Sequence, residues 1–134
     1  MLGAHVLSVV DDDTSVRIAT GRLIRSVGFT VEMFTSGEEF LHLGRLQETS
    51  CLVVDVHIPG MNGLQLQSHL AAAGYRIPII FVTAYPDERI RTLALRAGAV
   101  ESLYKPFSVE ALLSAIDLAL GVGKGEDSLV SHDD

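Results

Sequence analysis

Four short apolar runs, each closed by a polar or charged residue, constrain this chain more than any other feature: HVLSVVD, CLVVD, IPIIFVT and SLYK. Amphipathic stretches separate them, and that alternation is the mark of a parallel β-sheet with helices on both faces. A strand covered on both sides is apolar at nearly every position, as Val6–Val10 is. The first helix is expected from about Thr14, with Val16, Leu23, Ile24 and Val27 at helical spacing and Gly28 at its end. A second strand follows over roughly Thr30–Phe34. Ser36 and Glu39 form an S-x-x-E capping box that opens the second helix. The third strand is Cys51–Asp55; Pro59 and Gly60 break it, and Asn62 caps a third helix that stops near Gly74. Pro78–Thr83 is the fourth strand, followed by a helix carrying Ile90, Leu93, Ala94 and Ala97 and ended by Gly98. Ser102–Lys105 is a short, weakly patterned fifth strand. Ser108 caps the last helix, whose stripe is Val109, Leu112, Leu113, Ile116 and Leu120.

A length of 134 residues allows one domain with a real core and no second one. That domain is expected over residues 1–121. The remaining residues 122–134, with Gly123, Gly125 and four acids, read as a flexible acidic tail or the stub of a linker. A formal net charge of −7, from 17 acidic and 10 basic residues, disfavours non-specific nucleic-acid binding and suits a protein that holds divalent cations. Cys51 is the only cysteine, so an intrachain disulfide is excluded, and its place within CLVVD makes it a small buried hydrophobe. No apolar run reaches the ~18 residues of a membrane span. The N-terminus lacks the basic region of a signal peptide, so a cytoplasmic location away from membranes is expected.

Right-handed crossovers make all five strands parallel, and their C-terminal ends then share one edge. In the doubly wound order 2-1-3-4-5, strands 1 and 3 lie side by side where the order reverses, which is where ligands bind in open sheets. Asp11, Asp12 and Asp55 would converge there, flanked by Thr83 and Lys105. Carboxylates that close repel one another unless a cation is present. Mg²⁺ suits the set, because it prefers oxygen ligands and is often bound by one or two carboxylates plus phosphate oxygens. An Asp beside the metal can act as a nucleophile toward phosphorus, with the lysine neutralising charge and the threonine hydrogen-bonding a phosphoryl oxygen.

Taken together, VVDDD-x-x-VR, LVVDVHIPGMNG, PIIFVTA and YKPF, in that order and spacing from about His5 to Leu120, resemble the receiver domain of bacterial two-component response regulators. The resemblance implies a flavodoxin-like fold and a phosphorylation-dependent switch. Asp55 would accept a phosphoryl group from the phosphohistidine of a sensor histidine kinase or histidine phosphotransfer protein, with Mg²⁺ required. By the same resemblance Asp12 is the main Mg²⁺ ligand, Asp11 orients metal-bound water, and the His57 backbone carbonyl completes the metal shell. Thr83 and Lys105 would contact the phosphoryl group, and the Lys105–Pro106 bond would be cis. Output would pass to an effector through the face of the fourth helix, fifth strand and fifth helix, with a phosphorylation-dependent homodimer among the expected partners. Direct nucleic-acid binding by this chain is not expected.

Plainer roles weigh against some of these. Asp13 reads as a solvated start to the first helix, and N-capping is the structural alternative for Asp11 and Asp12. His57 and Tyr85 read as side chains bordering the mouth of the site, and Met61 as a loop anchor. His5, His42, His69 and His132 show no ligand-like grouping. Many receivers carry an aromatic three residues before the lysine; Ser102 stands there, and Tyr104, on the same side of the strand by alternation, is the candidate substitute.

Three rival functions follow from the same residues. A phosphohydrolase with an Asp nucleophile would carry D-x-D at the strand end, where this chain has Asp55-Val56-His57. A flavin- or dinucleotide-binding module would need a phosphate-binding loop after the first strand, where three aspartates would repel phosphate. A receiver-shaped scaffold that never turns over phosphate is the third, against which the complete residue set argues; the receiver portion of a longer transcriptional regulator with a helix-turn-helix output is the alternative context for the switch. The expectation is therefore a phosphoacceptor, not a multiple-turnover enzyme.

Overall fold

The computed structural model describes residues 5–124, with side chains described as far as Gly121. Its elements run β1 (Val6–Val10), α1 (Thr14–Ser26), β2 (Thr30–Phe34), α2 (Gly37–Leu43), β3 (Thr49–Asp55), α3 (Gly63–Ala72), β4 (Ile79–Thr83), α4 (Glu88–Arg96), β5 (Glu101–Tyr104) and α5 (Val109–Lys124), with one 3₁₀ turn at Leu46–Glu48. The five strands are parallel in the order β2-β1-β3-β4-β5, as expected of the doubly wound arrangement. β3 starts two residues earlier than the sequence suggests, and β5 ends at Tyr104 rather than Lys105. Helix α5 runs on to Lys124, past the expected domain boundary at residue 121, and the rest of the expected tail lies outside the described residues.

Each face of the sheet carries its own core. Leu7 and Val9 point to one side, where Ile24 of α1 and Leu112 and Ile116 of α5 cover them. Val10, Leu52 and Val54 point to the other, under Phe40 of α2 and Leu66 and Leu70 of α3, with Phe81 of β4 among them. Full burial of a side chain such as Phe81 or Leu52 contributes roughly 1.5–3 kcal/mol. β1 and β4 are buried at every position, which is why they read as unbroken apolar runs. β5 lies at the sheet edge with one fully buried residue, Ser102, and that explains its weak pattern.

Two helices sit differently from their apolar spacing. In α4 only Ala94 is buried, while Leu93, expected in the stripe, is exposed. Val109 is likewise exposed, and the buried face of α5 is built from Leu112, Ala115, Ile116 and Ala119. The caps follow the sequence more closely. Ser36 Oγ accepts from the Glu39 amide at 3.0 Å, but the expected box does not close, because the Glu39 carboxylate accepts from the Thr35 amide at 2.6 Å instead of the Ser36 amide; Asn62 with Gln65 does close a reciprocal capping box, on α3. Ser108 Oγ accepts from the Ala111 amide at 3.0 Å.

Candidate functional site

Register brings the acids together. Val10 of β1 pairs with Val54 of β3, so Asp11 and Asp55, one residue further on, emerge side by side where the strand order reverses. Carboxylate oxygens of Asp11, Asp12 and Asp55 lie within 4.8 Å of one another. Asp11 and Asp55 are buried, at 2% and 8% exposure, and Asp12 is open to solvent.

Local bonding aims the first two. The N-cap of α1 is Asp13, whose Oδ1 accepts from the Val16 amide at 3.1 Å, so the capping alternative weighed for Asp11 and Asp12 does not hold. The Asp13 amide donates to Asp11 Oδ1 at 2.9 Å, and Arg17 Nη1 donates to the Asp11 carbonyl at 2.8 Å. Burial pushes the Asp11 carboxyl above its ordinary value, more than the Asp13 amide and the Lys105 ammonium pull it down, and the nearby Asp55 charge adds to the rise.

Lys105 closes the cluster from the far edge of the sheet. Its amide donates to the Thr83 carbonyl at 2.8 Å, and the bond to Pro106 is cis. Its Nζ donates to Asp55 Oδ2 at 2.7 Å and to Asp11 Oδ2 at 3.0 Å. Burial alone would lower the ammonium's pKa, but the hydrogen bonds to Asp55 and Asp11 outweigh it and hold the group above its usual value, so it stays charged. Three carboxylates with one ammonium leave this cluster two charges from neutrality. An all-oxygen donor set with that deficit fits a hard divalent cation such as Mg²⁺.

Asp55 Oδ1 accepts from the His57 amide at 2.9 Å. The His57 ring stands edge-on to Tyr85, with centroids 5.1 Å apart and planes at 88°, and both residues are exposed. Thr83 is buried at the end of β4, and its hydroxyl is engaged locally: it accepts from the Tyr85 amide at 3.0 Å and donates weakly to the Tyr85 carbonyl at 3.4 Å. Tyr104 does not turn inward as a substitute for the missing aromatic. Its hydroxyl donates to Glu88 Oε2 of α4 at 3.0 Å, while Ser102 fills the buried position.

Several supporting residues escaped the sequence reading. Gly63 opens α3 tight against the acceptor strand: a Cβ there would lie 2.9 Å from the Asp55 carbonyl oxygen and 3.0 Å from Phe81 Cε1. Arg17 stands in the VVDDD-x-x-VR run, but only the turn geometry shows which carbonyl it binds. Arg91 of α4 donates to the Ser102 carbonyl at 2.8 Å, and the Glu101 carboxylate accepts from the Ser102 amide at 2.9 Å, so the outward backbone groups of Ser102 on the edge strand are satisfied by side chains.

The geometry agrees with the comparisons. The profile of the response regulator receiver domain matches residues 7–117. The response regulator protein TodT of Pseudomonas putida is 42% identical over 117 residues, covering 87% of this chain and 52% of TodT. The transcriptional regulatory protein FixJ of Azorhizobium caulinodans is 36% identical over 124 residues, covering 90% of this chain and 59% of FixJ. The chain thus spans about half the length of such relatives. Among solved structures, the response regulator StyR superposes with a TM-score of 0.86 at 41% identity, covering 96% of this chain and 65% of that one. A receiver protein from Burkholderia phymatum gives 0.75 at 42% identity, covering 87% and 95%. With a two-faced sheet of order β2-β1-β3-β4-β5 and an acidic cluster at its reversal, the chain belongs to the response regulator receiver domain family.

Proposed function

We propose that this domain is a phosphorylation-dependent switch in which Asp55 accepts a phosphoryl group from a histidine kinase or histidine phosphotransfer protein. The observation that carries this reading is the convergence of Asp11, Asp12 and Asp55 with the Lys105 ammonium at one point of the sheet edge. The carboxylates of Asp11, Asp12 and Asp55, with the His57 main-chain carbonyl, would hold Mg²⁺. When bound, the ion neutralises charge on the oxygens of the transferring group.

The protein's own groups do the rest. One Asp55 oxygen attacks phosphorus while the P–N bond of the donor phosphohistidine breaks, and the departing imidazole nitrogen takes a proton from solvent. The His57 amide holds one Asp55 oxygen and orients the carboxylate. Lys105 exchanges its carboxylate contact for the new phosphoryl charge. The Thr83 hydroxyl gives up the Tyr85 backbone for a phosphoryl oxygen, which biases a two-state equilibrium at the surface of α4, β5 and α5. One phosphoryl group per chain, lost by slow hydrolysis, is the behaviour of a phosphoacceptor and not of a multiple-turnover enzyme.

Partial coverage of longer relatives named as transcriptional regulators supports a second statement about context. This chain corresponds to the receiver part of such a regulator, acting through an effector and, when phosphorylated, through a second copy. Among the described residues no helix is long and apolar enough to cross a membrane, and a cytoplasmic setting is part of the proposal. Transfer from a phosphohistidine donor tests the reading: label should move to the wild-type chain with Mg²⁺ and not with EDTA. Equal transfer to Asp55→Asn would refute it.

A further inference from the structure

The phosphoacceptor loop between Asp55 and α3 is tied at three places, and the third tie comes from a helix that no part of the chemistry requires. At its start the His57 amide binds Asp55 Oδ1 at 2.9 Å, and at its end the Gly63 amide binds the Val56 carbonyl at 2.9 Å. In between, the Met61 amide donates to Glu38 Oε2 of α2 at 2.9 Å, across 23 residues of sequence.

The first turn of α2 is shaped around that contact. A Cβ on Gly60 would stand 2.8 Å from Glu38 Oε2, and Gly60 has φ +72°, a conformation that L side chains rarely adopt. Gly37, the residue before Glu38, is buried, and the place of a Cβ on it lies at ordinary van der Waals distance from Met61, 3.5 Å from Sδ and 3.6 Å from the carbonyl oxygen, so α2 and the loop are in contact there. Hydrogen bond, the Gly60 conformation and van der Waals contact therefore meet at one seam between α2 and the loop.

We propose that Glu38 is a positioning residue of the phosphoacceptor site: by holding the Met61 amide it fixes the path of residues 56–62, and through that path the His57 amide and carbonyl beside Asp55. This rests on the reading of Asp55 as a metal-assisted phosphoacceptor. A carboxylate accepting a backbone N–H is a charge-assisted bond, stronger than a neutral one. The Met61 amide's hydrogen bond holds the Glu38 carboxyl below its usual pKa, as a bond made to the charged form does. The consequence is that the precision of the metal shell depends on a helix that supplies no ligand, as outer-shell partners do at other metal sites.

The test compares Glu38→Ala, Glu38→Gln and Ile116→Val with the wild type. Gln retains an acceptor oxygen for Met61, and Ile116 is a buried residue on the opposite face of the sheet that reports a general loss of stability. Mg²⁺ affinity is read by titration of the His57 amide resonance, phosphorylation rate with acetyl phosphate, and Met61 amide exchange by NMR. Glu38→Ala should weaken Mg²⁺ binding about tenfold, the low end for an outer-shell partner, and speed Met61 exchange. Glu38→Gln should recover most of both, and Ile116→Val should change neither. The proposal is overturned if Glu38→Ala tracks Ile116→Val, if Gln fails to rescue, or if Met61 exchange rises with Mg²⁺ affinity unchanged. A wild type that neither binds Mg²⁺ nor labels on Asp55 would overturn the site reading itself, and this proposal with it.

Discussion

Lys105 Nζ lies 2.7 Å from Asp55 Oδ2, a contact between residues fifty apart that joins the edge strand β5 to the sheet's central reversal. The same ammonium reaches Asp11 Oδ2 at 3.0 Å. With no divalent cation bound, Lys105 is the group that offsets the charge of these buried carboxylates. A cation held by these carboxylates would compete with this lysine for their charge.

That competition predicts a split in Lys105→Met. Without its ammonium, the cation-free protein should lose stability, because buried carboxylates are left facing one another. Mg²⁺ should restore more of that loss than it adds to the wild type, since a ligand bound only by the folded state stabilises it by mass action. Acceptance of the phosphoryl group should nevertheless fall about tenfold or more, in line with removal of one electrostatic contact to a transferring group. Thermal melts with Mg²⁺ and with EDTA, beside acetyl phosphate labelling, check both halves. Loss of Mg²⁺ stabilisation together with labelling would contradict the account.

Gly63→Ala tests how tightly α3 is set against the acceptor strand. Alanine is ordinarily the better helix former. Here the added methyl would meet the Asp55 carbonyl oxygen at 2.9 Å and the Val56 Cα at 3.0 Å, both backbone atoms that cannot swing aside. We expect a destabilisation of about 1–3 kcal/mol, as for overpacking, seen in urea unfolding with an unchanged m-value. A neutral or stabilising result would show that the two elements have slack.

Tyr104 gives a titration prediction with a definite sign. Its hydrogen bond to the Glu88 carboxylate, aided by that residue's charge, holds the phenol above its usual value near 10. Because the folded-state value is raised, the contribution to stability is present below the unfolded tyrosine's pKa and is lost as pH rises through the folded one. Tyr104 should ionise late in an ultraviolet absorbance titration. Glu88→Gln should bring it back toward the ordinary range, and an unchanged late component in that variant would contradict the assignment.

Much of the architecture is written in local pattern. β1, β3 and β4 are buried on both faces, so their apolar runs stand out, and the polar residues that end them are the ones gathered at the site. Asp11, Asp55 and Thr83 were readable for that reason, whereas Lys105 follows the weakly patterned β5. The strand order was legible as topology, since parallel strands with right-handed crossovers leave few arrangements. Less legible was anything set by orientation rather than spacing. Three consecutive aspartates do not say which one caps α1, and only the extended backbone at Asp13 assigns that role. Leu93 and Val109 have helical spacing, yet short α4 buries only Ala94 and α5 turns Val109 outward. Tyr104 has the alternation of an inward residue but finds Glu88 on α4 instead. The Glu38–Met61 contact has no signal in either segment alone, because it exists only where α2 and the loop meet.

The central claim is that distant acids and one lysine meet to make a single acceptor oxygen on Asp55 reactive toward phosphorus. Intact mass spectrometry after incubation with acetyl phosphate and Mg²⁺ measures this most directly. The account predicts a gain of about 80 Da, one phosphoryl group with its added negative charge, on the wild type, located to Asp55 by fragmentation and absent with EDTA or in Asp55→Asn. An unmodified wild-type mass, or full modification of Asp55→Asn, would contradict it.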